Sequence, residues 1–283
     1  MGYIGFHASI SGGVFNAIDE AIEKGAEAIQ IFTANQRMWN VNDIPEKDVK
    51  LFFEKRKKSG LKAIVSHASY LINLASGDKK ILEKSRKAFI GEIKRSSVLK
   101  LNAIIFHPGS FTGTTLEKGI KNIIGSLNLF TKFLSKNSPF LLLETTSGSG
   151  NTIGGKFEEL AQIISGVKRK NKIGICLDTA HIFEAGYDLK NNYENVFKEF
   201  NRLIGIHRLK AFHINDSKTK FFSKSDRHEH IGKGEIGKSV FKKLMNDKRF
   251  AKIPMIIETP KIGNWDVRNI VLLKGMRKRG FNK

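Results

Sequence analysis

The segment HINDSKTKFFSKSDRHEH, residues 213–230, holds three of the eight histidines in the chain, interleaved with Asp216, Asp226 and Glu229. Imidazole and carboxylate side chains without thiolates are the donor set of zinc, manganese or iron, and imidazole-rich sites of low coordination number favour zinc. The DRH triplet sets Asp226 and His228 two residues apart, on one side of an extended backbone, with Arg227 turned away. Upstream, DTAH places His181 three residues after Asp178. Further candidates stand at the ends of apolar runs: His7, His67, His107, Glu144, Asp178, His213 and Glu258. Any one of these has an ordinary explanation, since a histidine after an apolar run is often a satisfied core residue and a strand-end carboxylate often caps the next helix. Seven at equivalent positions need a shared reason, because burying so many polar groups together is costly unless cations lie among them. Nine ligand candidates emerge: His67, His107, Glu144, Asp178, His181, His213, Asp226, His228 and Glu258. At three to four protein ligands per ion, that set implies two or three ions.

Such residues meet only if the fold gathers the ends of the runs. The runs span 3–7, 26–32, 61–67, 102–107, 139–144, 172–178, 209–214 and 253–258. They are nearly continuous in hydrophobic character, as strands covered on both faces should be. Between them lie helix-like stretches such as PEKDVKLFFEKRKKSG, and Gly25 and Gly60 stand where helices commonly stop. Eight strand–helix repeats in 283 residues predict a closed (β/α)8 TIM barrel. An open doubly wound sheet lacks support because no Gly-rich phosphate fingerprint follows the first run. There is no linker or abrupt change of charge, so residues 1–283 are expected to form one domain. Three of five prolines (Pro45, Pro139, Pro254) fall at expected element starts. In a TIM barrel all C-terminal strand ends open on one mouth, which carries the active site.

Composition narrows the partners. Lys+Arg 49 against Asp+Glu 27 gives a formal charge of +22, which draws polyanions, nucleic acid before acidic membranes. The hydrophobic fraction of 40% supplies a core and argues against disorder. The single cysteine, Cys176, reads as core filler and excludes an internal disulfide, fitting a reducing compartment. No secretory signal and no apolar run of membrane-spanning length is visible, so a soluble cytoplasmic protein is expected.

With these residues in view, the sequence resembles the endonuclease IV family of apurinic/apyrimidinic endonucleases. The similarity runs in order through YIGFHASISGG, FTANQRMW, SHASYLIN, HPGS, LLLETTSGSG, CLDTAHIFEAGYDL, FHINDSK, SDRHEHIGKGEIG and IIETP, nearly the whole chain. The resemblance implies the same barrel and three zinc ions, with manganese as a substitute. It assigns His67, His107 and Glu144 to the first ion, Glu144, Asp178, His213 and Glu258 to the second, and His181, Asp226 and His228 to the third. It also implies hydrolysis of double-stranded DNA 5′ of an abasic site, leaving a 3′-hydroxyl and a 5′-deoxyribose phosphate, and removal of 3′-blocking groups. Glu258 and Glu144 would be the catalytic carboxylates. Gln36 and Arg37 in NQRMW, and Tyr70 and Leu71 in SYLIN, would contact the DNA, the last two as wedges. A monomer that engages no membrane is the expected state. Two departures from the family pattern are visible. Ser147-Gly148-Ser149-Gly150 replaces the usual Ala-Gly-Gln-Gly, and Ala180 stands where a cysteine is frequent.

Two rival readings exist. A metal-dependent sugar isomerase or epimerase on the same barrel explains the strand-end carboxylates but not His181 with the DRH pair. A non-catalytic nucleic-acid binder predicts missing ligands, and none is missing. Outside the ligand set, His7 and His230 read as outer partners of the ligands, His207 as a surface residue, and Trp39 as packing. Lys218 and Lys233 read equally well as phosphate contacts or as solvated charges.

Overall fold

The computed structural model describes residues 1–39 and 41–278. Its elements follow in order as β1 (Tyr3–His7), α1 (Asn16–Glu23), β2 (Ala28–Ile31), α2 (Glu46–Ser59), β3 (Ala63–His67), α3 (Lys79–Val98), β4 (Ala103–Phe106), α4 (Leu116–Phe130), β5 (Phe140–Glu144), α5 (Phe157–Gly166), β6 (Ile173–Asp178), α6 (Thr179–Ala185), α7 (Tyr193–Leu203), β7 (Leu209–His213), the short β8 (Asp216–Ser217) and β9 (His228–Glu229), α8 (Lys238–Asn246), β10 (Pro254–Ile257) and α9 (Trp265–Gly275). Eight of the strands pair in parallel and close as β1-β10-β7-β6-β5-β4-β3-β2. Each of the eight expected runs supplies one barrel strand, and the barrel predicted from their alternation with helices is the one observed.

Local chemistry sets the element ends. Gly60 closes α2 at φ 71°, a conformation that costs an L-residue energy but not glycine. Asp78 opens α3, its carboxylate accepting from the amides of Lys80 and Ile81. Pro45, Pro139 and Pro254 stand at or beside the starts of α2, β5 and β10.

Strand alternation divides the apolar residues into two bodies. Outward-facing strand residues such as Ile4, Ile29, Ile64, Ile104 and Leu141 join the helices in the larger core. A smaller cluster fills the bore: Ala28, Ala63, Val65, Ala103, Ile105, Leu142, Cys176, Ala211 and Ile256. Cys176 is therefore core filler as expected, and burial pushes its thiol up to about 12.

Residues 213–230 are not a plain loop. Strands β8 and β9 pair antiparallel, with Ser217 opposite His228. The Asp216 carboxylate, fully buried, accepts backbone N–H bonds from Gly232, Gly234 and Ile236. That carboxylate gives the excursion a rigid base, and His228 leaves it from a fixed strand.

Candidate metal centre

Advance two residues along each strand from the apolar bore and the side chains become polar all round. The last inward positions are His7 on β1, Gln30 on β2, His67 on β3, His107 just past β4, Glu144 on β5, Asp178 on β6, His213 on β7 and Glu258 just past β10. Seven of the eight were expected from sequence. The eighth, Gln30, was not, because it lies inside the run 26–32 and an amide carries no metal-ligand signature.

At this ring and just beyond it the donors fall into three overlapping groups. His67, His107 and Glu144 form the first, and Glu144, Asp178, His213 and Glu258 form another; in each, one ligand atom per residue lies within 4.8 Å of the others. Glu144 is shared: Oε2 lies 3.0 Å from His67 Nε2 and 3.1 Å from His107 Nε2, while Oε1 lies 2.7 Å from His213 Nδ1. In the remaining group His181 Nε2 stands 3.1 Å from Asp226 Oδ1 and 3.3 Å from His228 Nε2, with Asp226 and His228 3.5 Å apart. Asp178 also reaches this group, its Oδ2 being 3.6 Å from His228 Nε2. The sequence expectation tied Asp178 to the second ion alone; the geometry sets it between two groups. It also caps α6, Oδ1 accepting from the amides of Ala180 and His181. One oxygen thus caps a helix, the ordinary role of a strand-end carboxylate, and the other faces the donor groups.

The ring orientations suit metal ligation. His67 Nδ1 donates to Ala68 O at 2.8 Å, His181 Nδ1 to Thr145 O at 2.8 Å, and His228 Nδ1 to Glu258 O at 3.1 Å. Each then turns Nε2 toward the group, the arrangement an outer hydrogen bond enforces on a metal-bound histidine. Two neutral Nε2 lone pairs facing each other, as in His181 and His228, repel unless a proton or a cation lies between them. Donor atoms of a tetrahedral zinc site stand roughly 3.4 Å apart, given bonds of about 2.1 Å, so the donor set fits the metal that the residue types imply.

Electrostatics agree. Burial resists charging His181, but Asp178 and Asp226 outweigh it and hold its pKa well above the ordinary value. His213 is likewise buried and likewise raised, as Glu144 and Glu258 outweigh burial. The carboxylates move the other way: burial resists ionising Glu144, yet His213 and His107 hold it well below its usual range. Asp226, its side chain about half exposed, falls to about 2 as His181 outweighs its partial desolvation. In the metal-free chain, protons on His181 and His213 take the place of cations.

The outlying candidates also have places. His7 Nδ1 lies 3.3 Å from Glu258 Oε1, beside the ligands. His230 is set back, stacked on Trp265 with ring centroids 4.0 Å apart, and its Nδ1 is 3.2 Å from Thr259 Oγ1. His207, Lys218 and Lys233 are exposed. Trp39 lines a cleft against α3 with Lys84, Lys87 and Lys94. A second buried residue missed from sequence is Asn215: its Nδ2 donates to Asp178 Oδ2 at 2.7 Å and its Oδ1 accepts from Glu258 N at 2.8 Å.

Above the ligands a cleft of about 380 Å³ is lined by His7, Phe32, His67, Tyr70, His107 and Glu258, among others. Tyr70 is 68% exposed at its edge, Leu71 half-buried, and Arg37 exposed. Ser69 Oγ donates to Gln36 O at 2.6 Å and so ties the two loops together. The first loop is anchored below, where Thr33, Glu92 and Arg95 are buried and Arg95 Nε donates to Thr33 Oγ1 at 3.0 Å.

A closed parallel barrel whose strand ends carry overlapping histidine–carboxylate groups is a TIM barrel with the donor set of a metal site. The model of the xylose isomerase-like TIM barrel family matches residues 18–274. A protein of Geotalea daltonii named probable endonuclease 4 is 44% identical over 281 residues, covering 98% of this chain and 99% of its own. The crystal structure of endonuclease IV from Thermus thermophilus superposes with a TM-score of 0.86 at 32% identity, over 97% and 98% of the two chains. The chain belongs to the endonuclease IV family. A D-tagatose 3-epimerase-like protein also superposes, with a TM-score of 0.74 at 20% identity over 96% of each chain, which shows a shared fold alone.

Proposed function

We propose that this chain is a zinc-dependent DNA-repair endonuclease that hydrolyses the phosphodiester bond 5′ of abasic sites in duplex DNA, leaving a 3′-hydroxyl and a 5′-deoxyribose phosphate. Membership of the endonuclease IV family makes it a DNA-cleaving hydrolase acting on DNA. Removal of 3′-blocking groups is part of the same proposal, as is action by a single-domain monomer in the cytoplasm. The observation that carries the reading is the convergence of nine separated residues, His67 to Glu258, into three overlapping groups of donors at one mouth. The third group also separates this reading from a sugar isomerase, which has no need of His181 with Asp226 and His228.

His67, His107 and Glu144 would hold one zinc, Glu144, Asp178, His213 and Glu258 another, and His181, Asp226 and His228 a third. Bound zinc would supply acidified water and neutralise charge on the phosphate. The rest falls to the side chains. Glu258 borders the cleft; it would orient the attacking water and accept its proton. Tyr70 and Leu71 would fill the space left by a missing base, with Gln36 and Arg37 against the backbone. Turning an abasic nucleotide out of the duplex costs less than turning out a paired one, so selection needs no base readout.

The test is cleavage of a duplex carrying one abasic analogue, with and without chelator, beside elemental analysis. Three zinc ions per chain and chelator-sensitive incision at the lesion are expected. Intact duplex, or one ion or fewer, would sink the proposal.

A further inference from the structure

We propose that Gln30 is a positioning residue that fixes the tautomer of His213 and one oxygen of Glu258, and so sets the affinity and activity of the central metal position, the one framed by Glu144, Asp178, His213 and Glu258. The inference rests on the zinc reading above. His67, His181 and His228 each anchor Nδ1 on a main-chain carbonyl and turn Nε2 inward. His213 is reversed. Its Nδ1 faces the ligands, 2.7 Å from Glu144 Oε1 and 3.1 Å from Glu258 Oε2, while Nε2 points across the bore. There it meets Gln30 Oε1 at 2.8 Å. Gln30 is fully buried and gives this one histidine what the main chain gives those three. An acceptor on Nε2 keeps the proton there and leaves Nδ1 free as a donor to metal.

The other end of the same amide completes the argument. Gln30 Nε2 donates to Glu258 Oε1 and lies 3.0 Å from His7 Nδ1, so one Glu258 oxygen is tethered and Oε2 is left facing His213. Only a side chain with an acceptor and a donor on one planar group can serve both partners. Leucine would leave the buried His213 N–H unpaired and Glu258 Oε1 with His7 alone, and glutamate would accept from His213 but repel Glu258.

The experiment compares wild type, Gln30→Leu and Gln30→Glu by ion content, chelator competition, and kcat and KM on an abasic-analogue duplex across pH. Gln30→Leu is expected to weaken the central ion about 10- to 100-fold, as loss of an outer partner typically does. It should lower kcat with little change in KM. Gln30→Glu should keep its ions yet lose kcat, with the acid limb of its pH profile moved upward by the new charge beside Glu258. A Gln30→Leu protein with wild-type ion affinity and kcat overturns the inference. If that variant does not fold, Gln30→Glu decides, and a wild-type kcat and pH profile there overturns it equally. A wild type that itself holds no central ion brings down the zinc reading, and this inference with it.

Discussion

The bore of the barrel contains two regions built on the same strands. In the lower one Ala28, Val65, Ile105, Leu142, Cys176, Ala211 and Ile256 pack without a polar atom beyond one thiol. In the upper one, a single strand repeat further on, Gln30, His67, His107, Glu144, Asp178, His213 and Glu258 crowd donor against donor. The strands are shared, although His107 and Glu258 stand just past theirs and are less buried; side-chain chemistry makes the main difference. The lower region needs nothing from outside to be stable. The upper one holds buried imidazoles and carboxylates that require protons or cations between them, so stability is conceded there to function.

Four measurements would break or sharpen that contrast. Glu258→Gln keeps the volume of the upper ring and removes a base, so incision is expected to fall about 10²- to 10⁴-fold with abasic-duplex affinity within a few-fold of wild type. Equal incision by the two proteins would remove Glu258 from the mechanism. Leu142→Ala acts in the lower region, two residues below Glu144, and is expected to cost about 2–5 kcal/mol in urea unfolding while ion content stays the same. Loss of ions with unchanged stability would mean that the two regions are not separable.

The pH response of stability comes next. Asp226, lowered to about 2, contributes stability above its unfolded range that is lost as pH falls. His181 and His213, both raised, contribute stability that is complete below their unfolded value and lost as pH climbs through the folded ones. The metal-free chain is therefore best supported between about pH 4 and 6.5. Ions bind the neutral rings, so the gain in Tm on loading should widen from pH 6 to pH 9. A gain independent of pH would show that the upper ring is not what loading stabilises. The smallest effect belongs to the exposed rim. Arg37→Ala should weaken DNA binding modestly and reduce its log–log salt slope by about 1, whereas an unchanged slope would take Arg37 off the phosphates.

Much of this contrast was legible in the sequence. The strand runs could be read because each is apolar throughout, and seven polar residues stood where those runs end. Parallel closure then brings those ends together, whatever their separation along the chain. Asp226 and His228 were legible from their spacing, although the paired β8 and β9 that hold them, with Asp216 as their base, were not: two-residue strands leave no periodicity to detect.

The residue types, their order and the barrel's repeat thus determined which side chains would meet. Tertiary structure alone decided how they meet: which histidine nitrogen faces inward, that Asp178 both caps a helix and reaches two groups, and that Gln30 joins the ring. The reason is physical. Periodicity along a strand says which face a side chain occupies, but a tautomer or a shared carboxylate depends on atoms from distant strands brought within about 3 Å, and no local pattern encodes those partners.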